Sequence, residues 1–514
     1  MFFSKILKKI FNRTTTCILG ILFQLAYFVF FFWTLGTMYS YSFLVFLILG
    51  IIIALYIVNK DINPSYKIAW ILLVLAFPIL GCMFYVFFGN DHSGDRLRKK
   101  MARYSDECRL LLPQNQQLLK SLEEENRTVE KQANYIFKYG GYPLYTNTQT
   151  TYFPIGEAKF AQLLIELRQA KRFIFMEYFI IHDGKMWGSI LEILEQKVKE
   201  GVDVRIIYDD IGCLLTLPYK YDEELRAKGI KCRVFNPFKP VWSAKMNNRD
   251  HRKICVIDGH TAFTGGINLA DEYINEIVKY GHWKDSAVML KGEGVWSFTM
   301  MFLTMWNFLN GTKPDNYSKY MPRAEEISQF VSDGYVVPYT DSPLDEEPVG
   351  ENVYLNIIND AKHYVYITTP YLVIDNEMQT ALILAAKSGI DVRIITPHIP
   401  DKWFVHAVTR AHYQKLVKFG VKIYEYTPGF IHAKNFVSDD VTAVVGTINL
   451  DFRSLYLHFE CAAWMHRSEC IMDVKKDFLE TLEKCHEVTY AECLNVNPFT
   501  KMLRSLLRLF SPMM

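Results

Sequence analysis

The second part of this chain repeats the first at a nearly constant offset, and no other feature limits the possible folds so much. Ala170-Lys171 leads into the strand-like run Phe173 to Ile181, and Ala361-Lys362 leads into Tyr364 to Ile374. Gly201-Val-Asp-Val-Arg-Ile-Ile returns as Gly389-Ile-Asp-Val-Arg-Ile-Ile, and a third pair of joints falls at Gly229 and Gly420. The offsets are 191, 188 and 191 residues, so one domain is duplicated and a short-period solenoid is excluded. At each joint a glycine ends a helix and a β-branched run follows, as at a helix-to-strand junction. Apolar strands alternating with amphipathic helices predict an α/β class. The copies are expected at 151–332 and 351–494. A polar, helix-prone linker is expected at 91–150, and a second linker at 333–350, rich in Asp, Glu, Pro, Ser and Gly.

The N-terminus belongs to a different solvent. Residues 17–36, 39–58 and 68–89 are three uncharged, apolar runs, each about the length a helix needs to cross a ~30 Å hydrocarbon core. A signal peptide has one shorter run before a small-residue cleavage site, so residues 1–90 are expected to form a multi-pass membrane segment. Lys5, Lys8, Lys9 and Arg13 precede the first run, and Arg96, Arg98, Lys99, Lys100 and Arg103 follow the third. Both clusters ask for the cytosolic side, which three crossings cannot satisfy. Either the first run lies in the membrane without spanning it, or one cluster departs from the rule. Eight of the ten cysteines follow residue 100 with no CxxC pair, which predicts free thiols in a reducing compartment and a soluble part facing the cytosol. With 57 Lys and Arg against 55 Asp and Glu, there is no global basic field, so nucleic acid is not an expected partner.

The chemistry sits at matching points of the two copies. The first contains His251, Lys253 and Asp258, then Gly265 and Asn268; the second contains His432, Lys434 and Asp439, then Gly446 and Asn449. All five positions share one spacing. Residues two apart point to the same face of a strand. An imidazole beside an ammonium there suits a phosphate: Lys binds the anionic oxygens while His attacks or protonates. Asn268 and Asn449 can donate to the same oxygens. Each His also needs an acceptor on its other ring nitrogen. Asp285 and Glu460, at comparable places downstream of the two motifs, are candidates for it, and Glu177 is a weaker one. Irregular Cys and His spacing offers no metal cage, so neither metal nor cofactor is expected. The tail 495–514 carries Met502, Leu503, Leu506, Leu507 and Phe510 at helical spacing among Lys501, Arg504 and Arg508. Such a helix either packs on the domain or lies at an anionic lipid interface.

The two motifs resemble the signature of the phospholipase D superfamily: HxK, four residues, Asp, six residues, then Gly-Ser-x-Asn. The Ser is replaced by Gly266 in one copy and Thr447 in the other. Within the superfamily the chain is similar to bacterial cardiolipin synthases from roughly residue 40 to the end, on the paired hydrophobic helices, Asn248-Arg-Asp-His-Arg-Lys253 and Gly429-Phe-Ile-His-Ala-Lys434. This resemblance implies a duplicated phospholipase D-like domain, each copy a mixed sheet flanked by helices, related by a pseudo-two-fold axis and preceded by transmembrane helices. It implies that both His/Lys pairs meet in one cleft at a cell membrane. There two phosphatidylglycerol molecules would become cardiolipin and glycerol without a metal. It further implies that His251 is the nucleophile, forming a phosphatidyl-histidine, and that His432 is the acid and then the base. Lys253, Lys434, Asn268 and Asn449 would hold the phosphoryl oxygens, while Asp258 and Asp439 complete the motif and brace the site. Rival readings with the same motifs are a hydrolytic phospholipase D, a phosphatidyltransferase using another alcohol, and a membrane-tethered nuclease.

Overall fold

A computed structural model describes residues 40–89, 95–238, 247–311, 316–332 and 334–513, with short helical stretches between 22 and 34. The basic residues Lys5 to Arg13 lie outside the described residues, as does most of the hydrophobic run 17–36.

The duplication is visible as two sheets with the same strand order. The first runs Thr148–Phe153, Ala287–Gly292, Thr261–Gly265, Lys253–Ile257, Phe173–Tyr178, Asp203–Asp209, Lys231–Phe235. The second runs Tyr335–Asp341, His458–His466, Thr442–Gly446, Asn435–Ser438, Tyr364–Thr368, Asp391–Pro397, Lys422–Tyr426, with Cys485–Glu487 added at the edge. In both, the first five strands pair antiparallel and the next joints are parallel. Helices cover the faces, so central strands such as Phe173–Tyr178 and Thr261–Gly265 are buried throughout.

Each half lends the other a short strand. Arg249–Asp250 lies parallel to the start of His458–His466, and Gly429–Ile431 lies parallel to His282–Lys284. The second exchange needs glycine. Gly281 has φ +74°, and a Cβ on Gly429 would stand 2.4 Å from the His282 nitrogen. These exchanged strands place each motif histidine against the opposite half.

Both expected linkers are structured. Residues 91–150 hold the helices Asp95–Arg109, Gln116–Glu125 and Arg127–Tyr135, the last two capped by the Asn115 and Asn126 side chains. Their Met101, Tyr104, Leu122, Val129 and Ala133 are buried in the main core, and the sheet already begins at Thr148. The stretch 333–350 carries the edge strand Tyr335–Asp341 and the start of the helix Val349–Asp360. In each case polar residues coat one face while the other packs.

The membrane segment also differs from expectation. The second run is the uncharged helix Ser40–Val58, 19 residues, about 28 Å at ~1.5 Å per residue. The third breaks at Phe77–Pro78 into Pro64–Ala76 and Pro78–Phe84, because proline lacks an N–H and pushes the preceding residue out of helical geometry. No helix among the described residues is long and apolar enough to cross a membrane. The segments fold into a hairpin around Ile57, Val74, Cys82 and Tyr85, leaving Val45, Ile48, Ile52, Leu55, Leu72, Phe77 and Val86 exposed. The tail forms the helix Pro498–Leu509. It packs on Trp403–Lys418 and on the hairpin helix Pro64–Ala76, yet Phe499, Met502 and Leu506 remain exposed. None of the nine described cysteines is in a disulfide.

Candidate active site

The exchanged strands explain where the two histidines go. The His251 backbone N–H donates to the Phe459 carbonyl at 2.9 Å, and the His432 N–H donates to the Lys284 carbonyl at 2.7 Å. The residue after each carbonyl then faces the imidazole. Nδ1 of His251 lies 2.8 and 3.0 Å from the two Glu460 oxygens, and Nδ1 of His432 lies 2.7 Å from Asp285 Oδ2. The pairing is crossed: each imidazole is oriented by a carboxylate of the other half, an assignment the sequence left open. With those carboxylates ionised, Nδ1 carries the proton and Nε2 keeps a lone pair. Lys253 and Lys434, both buried, each donate Nζ–H to the carbonyl of their own histidine. Lys253 is the first residue of its strand, whereas Asn435 opens the other, so the histidines precede the strands.

The electrostatics show one cluster. Burial, then Lys253, Lys434 and His432, holds His251 well below the ordinary imidazole range. Burial and Lys434 bring His432 to about 4, with Asp285 opposing. Burial also lowers Lys253 to about 8 and Lys434 to about 7. Glu460 is pushed up by burial to about 7. Burial pushes Asp285 the same way, but His432 and Lys434 outweigh it and hold it below the usual carboxylate range. Two imidazoles and two ammonium groups from opposite halves therefore act electrostatically on one another.

Not every expected residue reaches this cluster. Asp258 and Asp439 sit at the far ends of the motif strands, both at φ +54°. Asp258 accepts the backbone N–H groups of Lys171, Arg172 and Phe173, and Asp439 those of Lys362, His363 and Tyr364, all at 2.7–2.9 Å. They tie the motif strand to its neighbour and do not touch the imidazoles. Asn268 is partly committed: its Oδ1 accepts from Ile180 N–H at 3.0 Å and its Nδ2 donates to the Tyr273 hydroxyl at 2.8 Å. Asn449 is buried, and its Oδ1 has no hydrogen-bond partner. Glu177 pairs with Arg252 at 2.5 Å and reaches neither histidine. Thr447, at the serine position, donates its hydroxyl to Glu460, which Ser454 also reaches at 2.7 Å. At Gly266 a Cβ would stand 2.1 Å from Asp285 Oδ1, so the missing side chain makes room for that carboxylate.

Two residues escaped the sequence reading. His458 lies 5.6 Å, ring to ring, from His251, and Trp283 lies 5.6 Å from His432. They hold the same place in the two halves, two residues before Glu460 and Asp285. Both ring nitrogens of His458 and Nε1 of Trp283 are buried without a hydrogen bond, although His458 Nδ1 lies 3.9 Å from Glu460 Oε1. Counting back two from each candidate carboxylate was the signal that could have found them. Among the described residues, His251, His458 and Glu460 bring possible metal ligands within 4.8 Å of one another. The Glu460 oxygens and His251 Nδ1 are already bonded to one another, so an ion there would have to break that pair.

Comparison with known proteins places this geometry. The profile described as "Cardiolipin synthase, PLD-like domain" matches residues 163–286 and again 354–482, and the one described as "Phospholipase D-nuclease N-terminal" matches 46–90. A cardiolipin synthase of Alkalihalophilus pseudofirmus is 33% identical over 94% of this chain and 95% of its own. One from Geobacillus kaustophilus is 34% identical over 90% and 92%. An uncharacterized Streptococcus mutans protein is 48% identical over 90% of this chain and 99% of its own. Among solved structures, a phosphatidylserine synthase of Haemophilus influenzae covers 76% of this chain and 98% of its own, with a TM-score of 0.56 and 16% identity, a likeness of fold.

Proposed function

Because the chain belongs to the family of cardiolipin synthases built from two phospholipase D-like domains, we propose that it joins two phosphatidylglycerol molecules into cardiolipin and releases glycerol. The observation that carries this is the crossed pairing of His251 with Glu460 and His432 with Asp285 around two buried lysines. It supplies a nucleophile, a proton donor and positive charge for a phosphorane-like transition state. His251 Nε2 attacks phosphorus, and the bond from phosphorus to the headgroup glycerol oxygen breaks. The anionic substrate favours the imidazolium of His432, which takes a proton from solvent on Nε2, and the departing oxygen receives that proton. The hydroxyl of a second phosphatidylglycerol then returns a proton to His432 as its oxygen attacks the phosphatidyl-histidine and frees His251. Lys253 and Lys434 hold the non-bridging oxygens, with Asn449 and the remaining Asn268 N–H as neutral donors. Asp258 and Asp439 brace the strands.

A bilayer supplies the substrate and fits the surface. The hairpin exposes Val45, Ile48, Ile52 and Leu55, the tail helix exposes Phe499, Met502 and Leu506, and Arg96, Lys99 and Arg103 are exposed nearby in sequence. Apolar area buried in acyl chains, plus attraction of basic residues to anionic lipid, holds such a surface at a leaflet. We place the two domains on the cytosolic face. Incubating the purified protein with phosphatidylglycerol alone tests the reaction. Cardiolipin with equimolar glycerol is expected; phosphatidic acid as the sole lipid product would favour a hydrolase.

A further inference from the structure

The reaction proposed above consumes two anionic lipids, yet the buried lysines account for one phosphate. A recess of about 110 Å³ lies in the second half, walled by Val373, Phe404, Val408 and Phe452 and lined also by Lys402, Arg453 and Asp451. Neither cation forms an ion pair among the described residues. The recess carboxylate Asp451 accepts the backbone N–H groups of Arg453 and Ser454 at 2.9 Å, both on Oδ1, and its charge is also felt by Arg453 and Lys402. Asp401 close by accepts from the Tyr371 hydroxyl at 2.6 Å. Tyr66, on the hairpin helix, packs against the wall residues Val373, Val408 and Phe452, its ring edge-on to Phe452 at 5.7 Å, and its buried hydroxyl has no hydrogen-bond partner. That hydroxyl is close enough to feel both Arg453 and Asp451. A buried hydroxyl without a partner costs on the order of 1–3 kcal/mol unless an acceptor arrives.

The recess also joins the catalytic cluster. Ser454, whose backbone N–H donates to Asp451, donates its hydroxyl to Glu460 at 2.7 Å, and Asp451 lies two residues beyond Asn449, about 7 Å of extended chain. A three-carbon headgroup that separates a lipid phosphate from its far hydroxyl spans a similar gap. On the other side the recess meets the apolar hairpin, which Asn63 ties to the second half through Asp375 at 2.8 Å and Tyr456 at 2.9 Å. We propose that this recess binds the phosphodiester of the acceptor lipid, through Lys402, Arg453 and the Tyr66 hydroxyl, with the apolar wall leading its chains towards the hairpin. The inference rests on the two-lipid reaction.

The test uses the full chain in detergent micelles of phosphatidylglycerol, with ethanol as a competing acceptor that carries no phosphate. Cardiolipin, phosphatidylethanol and phosphatidic acid are quantified together. Combined Lys402→Gln and Arg453→Gln lowers the ratio of cardiolipin to phosphatidic acid about tenfold and leaves the ratio of phosphatidylethanol to phosphatidic acid unchanged. Arg453→Lys keeps most of the cardiolipin ratio, and Tyr66→Phe lowers it by a few-fold. A variant that merely folds poorly reduces all three products in proportion, so poor folding cannot mimic this result. An unmoved cardiolipin ratio, or an equal fall in both ratios, overturns the proposal. Wild-type protein that makes no cardiolipin overturns the two-lipid reaction instead.

Discussion

At the scale of single residues, the two imidazoles differ in the carboxylate behind them. Glu460, pushed to about 7, is only partly ionised near neutrality, whereas Asp285 keeps its charge. An imidazolium is therefore better supported at His432, which suits it to donate the proton and leaves neutral His251 to attack. His251→Ala and His432→Ala should each lower cardiolipin formation by at least about 1000-fold. They part on a phosphatidyl ester of p-nitrophenol, whose leaving group needs no proton. His432→Ala still gives one equivalent of p-nitrophenol in a burst and His251→Ala gives none; a burst from His251→Ala reverses the order. The lysines set the pH dependence. Their protonated forms attract phosphate, so kcat/KM falls as pH rises through about 7 and then 8, where Lys434 and Lys253 lose their charge. A profile flat from pH 6 to 9 contradicts that. Because lysines carry the phosphoryl charge, EDTA leaves the rate unchanged; loss on chelation, restored by added metal, rejects the scheme.

At the scale of elements, the motif strands are held from their far ends. Asp439→Ala frees three backbone N–H groups and a left-handed corner. The cost is on the order of 1–3 kcal/mol, a fall in Tm of several degrees, with the ratio of cardiolipin to phosphatidic acid unmoved. A changed ratio at unchanged Tm would place the carboxylate in the chemistry. The spacing of His251, Lys253 and Asp258 made the strand and the hairpin after it legible, because a period of two is a local property. The crossed carboxylates were not legible, because the strands that cross are only two and three residues long, too short to carry a period. Glu460 and Asp285 could be picked out by position, but their partners are set by tertiary exchange. The charges between Glu123 and Lys131 give the helices at 95–135 the composition of a linker. Leu119, Leu122, Val129 and Ala133, at helical spacing, held the contrary signal.

At the scale of the whole molecule, those helices decide where the catalytic body begins. Gln132 reaches Asp360, and it accepts from Trp464 Nε1 at 3.2 Å, so it clamps the second half across the core. A chain beginning at residue 95 keeps this clamp and the buried Leu119, Leu122 and Val129. It should fold and turn over phosphatidylglycerol in micelles. A chain beginning at residue 134 loses several buried apolar side chains, each worth roughly 1.5–3 kcal/mol, more than the margin most folds possess. It should aggregate. The residue-95 chain also lacks the hairpin that exposes Ile48, Ile52 and Leu55 and that brings Tyr66 to the recess. Two effects should then separate by assay. On vesicles its rate falls steeply, because nothing holds the cleft at the headgroup layer. In micelles the rate recovers, but the ratio of cardiolipin to phosphatidic acid stays low, because the recess has lost its Tyr66 side. Equal vesicle rates for the residue-95 and full chains would show that the hairpin does not set the cleft at the bilayer. A fully restored ratio in micelles would show that it does not shape the acceptor site.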